Sequence, residues 1–312
     1  MKTLAVVLDE PERLALRRLD LSAPTADDAV VDIEWSGIST GTERLLYTGR
    51  MPAFPGMGYP LVPGYESVGR VREAGARSGL HAGDRVFVPG AKCYGDVRGL
   101  FGGAAAQVVV SGARLVRIDD GLGDRGALLA LAATAHHALH ATGARAPDLI
   151  VGHGVLGRLL ARLAVLEGGA PVVWERNAER AEGAVGYTVV DPATDARRDY
   201  RSIYDVSGDA ALLDALIARL APEGEVVLAG FYSAPLSFAF APAFMREARL
   251  RVAAQWQPQD LAAVNALAAG GRLSLDGLIT HRAPAADAAD AYRVAFGDAS
   301  CLKMILDWRG CA

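Results

Sequence analysis

The sequence predicts an α/β protein of two domains, an irregular β-rich domain and a doubly wound parallel sheet, and three observations carry that reading. The chain has 312 residues, 51% of them hydrophobic, which is more than a single compact core usually takes. Its first 128 residues hold short β-rich runs separated by Gly, Pro and Asp, the punctuation of an all-β domain. Near residue 150 the pattern changes to strand, helix, strand, the alternation that builds a parallel sheet flanked by helices.

In the first domain, Leu4 to Leu8, Val30 to Trp35, Glu66 to Arg72, Arg85 to Val88 and Ala106 to Val110 read as strands, with Gly83-Asp84 turning the chain before the fourth. Between Leu46 and Pro63, Pro, Gly, Met and aromatic residues crowd a loop too rigid for a linker and too apolar for plain coil. Two readings stay open there. One is a packed surface loop; the other is the wall of an apolar substrate pocket in which Met51, Phe54, Met57 and Tyr59 meet a flat ligand. Arg44 and Arg50 flank the loop, where a guanidinium can pair with a substrate carboxylate.

An alanine-rich helix from about Leu129 to Ala141 leads into the second domain. His136 and His140 share one of its faces, with His137 beside them, but no H-E-x-x-H pattern or nearby carboxylate accompanies them, so packing is expected rather than metal binding. Asp148 to Val151 then read as a buried strand, and Gly152, Gly154 and Gly157 supply the G-x-G-x-x-G spacing. Val155 and Leu156 open a helix that runs to Gly168-Gly169, and the strand Val172 to Trp174 ends in Glu175, 18 positions past Gly157.

Each glycine has a mechanical reason: the first permits a tight turn, the second lets backbone approach a pyrophosphate, and the third lets helix pack on strand. The free N–H groups at the helix start meet the phosphate charge. Glu175 is placed to accept hydrogen bonds from the adenosine ribose, and its charge repels a 2′-phosphate, which favours NAD over NADP. Arg176 beside it is able to pair with such a phosphate, so NADP stays open.

The alternation continues through a helix near Ala178 to Ala184, strands Thr188 to Val190 and Ile203 to Val206, a helix Ala210 to Leu220 and a strand Val226 to Ala229. Leu250 to Ala254 and the helix Pro258 to Ala269 complete the sheet. Ligands bind at the carboxyl ends of such strands, which puts Ser207 and Gly230 near the nicotinamide end. Beyond Leu278 a helix, Ala285 to Phe296, and a strand, Lys303 to Leu306, return to the first domain. The expected domains are therefore 1–128 with 279–312, and 129–278.

Composition narrows the rest. A net charge of −4 leaves no basic footprint for nucleic acid. Cys93, Cys301 and Cys311 are odd in number and scattered, against a disulfide framework or a cysteine-cluster zinc lobe. The most apolar run, Ala127 to Ala135, is half the length a bilayer needs, and the N-terminus turns acidic without a cleavage pattern, so the cytoplasm is expected.

Three motifs resemble those of the medium-chain dehydrogenases and reductases. Pro63-Gly64-Tyr65-Glu66-Ser67-Val68-Gly69-Arg70-Val71 is similar to the family's P-G-H-E-x-x-G-x-V, Gly83-Asp84-Arg85-Val86 to its G-D-R-V turn, and Ser36 to Glu43 to the C-G-I-C-G-T-D segment of its zinc enzymes, with one extra residue. The resemblance covers the whole chain and implies a GroES-like β-barrel domain with an inserted Rossmann domain. Ser39 stands where the zinc cysteine belongs, Tyr65 replaces the zinc histidine, and Ala130 falls at the third ligand position. A catalytic zinc needs three protein ligands, so a zinc-free member is expected.

The run Trp35 to Leu46, with Thr48 to Pro52 and Phe54 to Pro60, resembles members of the family that act in bacteriochlorophyll synthesis. That resemblance implies oxidation of a 3-hydroxyethyl side chain on a magnesium tetrapyrrole to 3-acetyl, with NAD as hydride acceptor and a dimer as the family habit. Without metal the developing alkoxide needs a hydrogen-bonding side chain. Tyr65 is the first choice, provided a neighbour lowers its pKa, with Thr42 as proton relay and Ser39 as a third polar contact. Glu66 is expected as a structural acceptor for an arginine, and His281 and Lys303 are assigned no chemistry. Two rival functions remain: a zinc-free NAD(P)H-dependent quinone or enone reductase, and a nucleotide-binding protein without turnover.

Overall fold

The computed structural model describes residues 1–311 and divides into two compact units, Met1–Ala130 with Leu275–Ala312, and Leu131–Ser274. In chain order the first unit begins with strands β1 (Lys2–Glu10), β2 (Arg13–Asp20) and β3 (Asp28–Ile38), then a short helix α1 (Thr42–Tyr47). Strands β4 (Leu61–Val62), β5 (Ser67–Ala74), β6 (Arg85–Val88), β7 (Arg98–Gly99), β8 (Gln107–Ser111) and β9 (Val116–Arg117) follow. Helix α2 (Leu129–His140) crosses the division.

The second unit holds β10 (Leu149–Val151), α3 (Val155–Leu166), β11 (Val172–Trp174), α4 (Ala178–Ala181), β12 (Thr188–Val190) and β13 (Tyr200–Asp205). It continues with α5 (Leu213–Ile217), β14 (Leu220–Leu228), α6 (Phe240–Phe244), β15 (Arg249–Val252) and α7 (Pro258–Ala269). The return to the first unit supplies β16 (His281–Pro284), α8 (Ala288–Gly297) and β17 (Met304–Asp307).

The six strands of the second unit form one parallel sheet in the order β12-β11-β10-β13-β14-β15. The order reverses at β10, so the carboxyl ends of β10 and β13 open the crevice where ligands of such sheets bind. Leu149, Ile150, Ile203 and Val226 are fully buried, as both-face coverage of a parallel sheet demands.

In the first unit, β3 is the central strand of the larger sheet. It joins β5 along one edge and β8 and β17 in succession along the other, inside a sheet ordered β16-β17-β3-β5-β6-β9. A second sheet runs β2-β1-β4-β7. Val30, Val31, Val71, Val108, Leu306 and Tyr292 meet in the shared core, so the return segment contributes side chains as well as a strand.

Several elements differ from the sequence reading. β2 pairs with β1 from Lys2↔Asp20 to Glu10↔Arg13, although its run of Arg and Asp gives no apolar alternation. It is an edge strand, where charge is tolerated. α1 has no counterpart among the expected elements, being too short to show helical periodicity. α4 stops at Ala181 because Gly183 takes a left-handed φ of 81°, and α5 is shorter than 210–220 because β14 already starts at Leu220. The three cysteines are free thiols.

Candidate active site

In the second unit, β10 delivers the chain into Gly152, whose φ of 106° lies in the left-handed region that favours glycine. A Cβ on Gly157 would sit 1.9 Å from the Gly152 carbonyl oxygen, so α3 packs on the turn only because that carbon is missing. Gly154 caps α3, and a Cβ there would meet nothing within 4 Å; the backbone faces open space. Val155 is buried and Leu156 half-buried behind it. This is a shape that suits a pyrophosphate: a helix start with no side chain in front of its first glycine.

Glu175 follows the last residue of β11 and accepts the N–H of His153 at 3.2 Å and of Asn177 at 2.9 Å, one on each carboxylate oxygen. Each oxygen keeps a further lone pair for a ribose hydroxyl. Arg176 beside it is exposed. Ser207 and Gly230 follow β13 and β14; the Ser207 hydroxyl donates to Asp205 at 2.6 Å and the Gly230 N–H to the Asp205 carbonyl at 2.9 Å. Asp205 therefore shapes both strand ends, with Tyr232 donating to its other oxygen at 2.8 Å. Burial pushes its carboxyl above the ordinary value.

His153, the residue between the first two glycines, is fully buried beneath the turn. Its Nδ1–H donates to the Arg180 carbonyl at 2.6 Å, leaving Nε2 to accept from the Tyr187 hydroxyl at 2.8 Å. The buried Arg158 of α3 donates to the carbonyls of His153 and Arg180. Together these fasten the turn to α4 and to Tyr187 beyond it. Burial holds the imidazole down to about 4, so it is neutral. The sequence reading passed over His153 because a motif read for glycines ignores what lies between them.

In the first unit, β3 ends at Ile38 and α1 starts at Thr42, so Ser39 directly follows the strand and Thr42 opens the helix. Tyr65 precedes β5, which pairs with β3 up to Ser36↔Ser67. That pairing brings the hydroxyls together: Ser39 Oγ lies 2.7 Å and Thr42 Oγ1 3.4 Å from the Tyr65 hydroxyl. Ser39 is buried; Thr42 and Tyr65 are half-buried. Phe101 meets the Tyr65 ring edge-on.

One expectation is corrected here. Burial, reinforced by the nearby Glu66 charge, drives the Tyr65 phenol above its ordinary pKa, with the Ser39 and Thr42 hydrogen bonds only partly opposing it. The phenol stays neutral and acts as a hydrogen-bonding hydroxyl, not as a preformed phenolate. Glu66 is a second correction: its partner is Lys303, 2.6 Å from Oε2, and not an arginine. Glu43, missed by the sequence reading, is also buried. Desolvation pushes its carboxyl up to about 7 against hydrogen bonds from Tyr292 and the Ser39 N–H, and Glu66 adds to the rise. Ala130 is fully buried, and among the described residues no group of three or more His, Cys, Asp and Glu is placed to hold a metal ion.

The loop after α1 packs on a small core of Leu8, Leu46, Leu61 and Leu100. Met51 is only 8% exposed within that core, so it anchors the loop and presents no open surface. Phe54, Met57 and Tyr59 are half-buried against it, and the Tyr59 hydroxyl donates to the Leu46 carbonyl. Arg44 and Arg50 are exposed at its ends. The histidine helix does have a carboxylate, supplied from α7: His136 and His137 bond Asp260 at 2.8 and 2.9 Å, and His140 stacks on His136. These contacts fasten α2 to the start of α7.

Residues 25–120 match the alcohol dehydrogenase GroES-like domain. The chain is 60% identical to the 2-desacetyl-2-hydroxyethyl bacteriochlorophyllide A dehydrogenase of Cereibacter sphaeroides over 100% of both chains. It is 58% identical to the protein of that name in Rhodobacter capsulatus over 99% of both. The chain belongs to this family of medium-chain dehydrogenases. The fold agrees: the 2R,3R-butanediol dehydrogenase of Bacillus subtilis superposes with a TM-score of 0.83 at 21% identity, covering 98% of this chain and 99% of that one. Among the described residues no helix is long and apolar enough to cross a membrane.

Proposed function

We propose that the chain oxidises the 3-hydroxyethyl side chain of a bacteriochlorophyllide to 3-acetyl, with NAD as hydride acceptor and without zinc. The observation that carries this is the trio of hydroxyls, Ser39, Thr42 and Tyr65, standing together, with Ser39 and Tyr65 at two positions where the resemblance puts the zinc ligands and Thr42 at the relay position. A serine, a neutral phenol and an alanine offer zinc no thiolate, imidazole or carboxylate. When bound, NAD supplies the hydride acceptor. The chain's residues hold the alcohol oxygen and take its proton: Tyr65 accepts it while passing its own to Ser39 or Thr42, of which Thr42 is the less buried way out. The balance is one C–H bond and one O–H bond broken, a hydride to the nicotinamide and a proton to solvent.

Glu175 supports NAD over NADP, since its carboxylate occupies the end of β11 where a 2′-phosphate would stand. Arg44 and Arg50 are proposed to meet a substrate propionate, and Phe54, Met57 and Tyr59 the macrocycle, with Met51 beneath. A homodimer is supported by β15, an edge strand on which Val252 is 75% exposed, and by the neighbouring exposed Phe240, Phe244 and Met245 of the same unit. Sedimentation at micromolar concentration separates dimer from monomer. The catalytic test is incubation with NAD and 3-hydroxyethyl bacteriochlorophyllide a, following NADH and pigment absorbance, with metal analysis of the same sample. Turnover by metal-free protein is expected; turnover that appears only with stoichiometric zinc, or only with quinones, refutes it.

A further inference from the structure

Behind the three hydroxyls lies a buried charged cluster that the proposed chemistry does not use. Lys303, the residue just before β17, is 1% exposed, and Glu66 and Glu43 are 0% and 1% exposed. Lys303 Nζ donates to the Ile38 carbonyl at 3.1 Å and to Glu66 Oε2 at 2.6 Å. Glu43 Oε1 accepts the Ser39 N–H at 3.1 Å, while its Oε2 accepts from the Tyr292 hydroxyl at 2.5 Å. The Ile38 carbonyl and the Ser39 N–H belong to one planar peptide group. That single peptide is gripped on one edge by Lys303 and on the other by Glu43.

We propose that Lys303 and Glu43 are positioning residues, which clamp the Ile38–Ser39 peptide so that the Ser39 hydroxyl stays in hydrogen-bond register with Tyr65. The proposal rests on the hydroxyl reading above. Fixing a peptide needs two contacts because either alone leaves rotation about the other. The clamp reaches the second hydroxyl too, since Lys303 holds Glu66, the neighbour of Tyr65, and the Gly37 N–H donates to the Glu66 carbonyl at 2.8 Å. Space is made for it: a Cβ on Gly37 would fall 2.5 Å from Glu66 Oε2.

A purely structural role explains this cluster poorly. Burying a lysine and two carboxyls carries a desolvation cost, and apolar side chains of similar volume usually pack as well or better. Glu66 Oε1 is buried without a hydrogen-bond partner, a further cost that packing does not explain. What charged partners add is direction, and a hydroxyl contact of 2.7 Å tolerates only a few tenths of an ångström.

The test uses the full chain with NAD and the pigment alcohol. Lys303→Met alone strands the Glu66 charge, so the informative variant is Lys303→Met with Glu66→Gln, which leaves no bare charge. Its kcat is expected to fall at least tenfold while KM for NAD and for the alcohol changes less than twofold. In a Tyr65→Phe background the same pair of changes is expected to cost less than twofold, because the clamp acts through that hydroxyl. Should the pair variant not fold, Glu43→Leu tests the other edge: it loses kcat in the same pattern, and Glu43→Gln, which keeps an acceptor for the Ser39 N–H, restores most of it. Full kcat in the pair variant, or an equal loss with and without the Tyr65 hydroxyl, overturns the clamp alone. Full kcat in Tyr65→Phe by itself overturns the hydroxyl reading and the clamp together.

Discussion

At the glycine turn the groups offered to a ligand are backbone N–H donors, and what holds them is local: a left-handed Gly152, a Gly157 pressed on its carbonyl, and Glu175 at the end of the next strand. At the hydroxyl site the groups are side-chain O–H, and what holds them arrives from far along the chain, Lys303 bonding Glu66 across 237 positions and Tyr292 bonding Glu43 across 249. The difference teaches where each site breaks. A turn built by leaving carbons out fails when one is added; a cluster built from side-chain oxygens fails when one is removed.

The largest effect is therefore expected at Gly157. An alanine there forces its Cβ against the Gly152 carbonyl oxygen, backbone against backbone, so α3 must move off the turn. NADH affinity by fluorescence titration should weaken by about 100-fold or more, roughly 3 kcal/mol. Gly154→Ala sharpens the point, because nothing in the protein lies within 4 Å of that new carbon. Its melting temperature should hold while NADH binding falls, since only the phosphate is obstructed. Unchanged affinity in both would show that the dinucleotide does not lie on this turn.

Next comes the oxygen that the other site cannot lose. Tyr65→Phe is expected to lower kcat about 100-fold with KM nearly unchanged, the usual scale for a positioned proton donor or acceptor. Thr42→Val, whose hydroxyl is 3.4 Å from Tyr65, should cost about tenfold. A Thr42 effect larger than that of Tyr65 would reverse the order of the relay.

This contrast also accounts for what was legible in the sequence. The parallel sheet and its turn were readable because periodicity and glycine spacing are local properties, and the ends of β10, β11 and α7 fall where the pattern put them. Ser39, Thr42 and Tyr65 were reachable only through resemblance to zinc enzymes. Their supports were not reachable at all: Lys303 opens an apolar strand and looks like a solvent-facing residue, and nothing near Glu43 announces Tyr292. The condition set for Tyr65, a neighbour that lowers its pKa, is not met for the same reason: burial and the Glu66 charge outweigh the hydrogen bonds from Ser39 and Thr42. Asp260 repeats the lesson, a carboxylate brought to His136 and His137 from another helix.

A smaller effect should appear as a pH dependence of stability. Glu43 has its folded pKa raised from 4.5 to about 7, chiefly by burial. Between those values the folded chain keeps a proton that the unfolded chain has released, so stability is full below about pH 4.5 and declines as pH rises through 7. Glu43→Gln cannot ionise and should gain on the parent by about 2 kcal/mol between pH 5 and 7.5 in urea denaturation. His153 has the opposite sign. Held at about 4, it costs stability as pH falls from 6.5, because the unfolded imidazole then binds the proton first. Parallel pH profiles for the parent and Glu43→Gln would mean that the carboxyl titrates normally.

The smallest expected change tests the local site's choice of cofactor. Glu175 sits with each carboxylate oxygen already taking one backbone N–H, so its remaining lone pairs and its charge face outward together. Glu175→Gln keeps the size and one acceptor but removes the charge, and the NADP-to-NAD ratio of kcat/KM should rise about tenfold, close to 1.4 kcal/mol. Arg176 decides how that arises. If the exposed guanidinium pairs with the 2′-phosphate once Glu175 is neutral, then adding Arg176→Ala returns the ratio toward its starting value. If the ratio stays high without Arg176, relief of repulsion is the whole effect. A ratio unmoved by Glu175→Gln would place the ribose away from the end of β11, and selectivity would then have to come from residues outside the glycine turn.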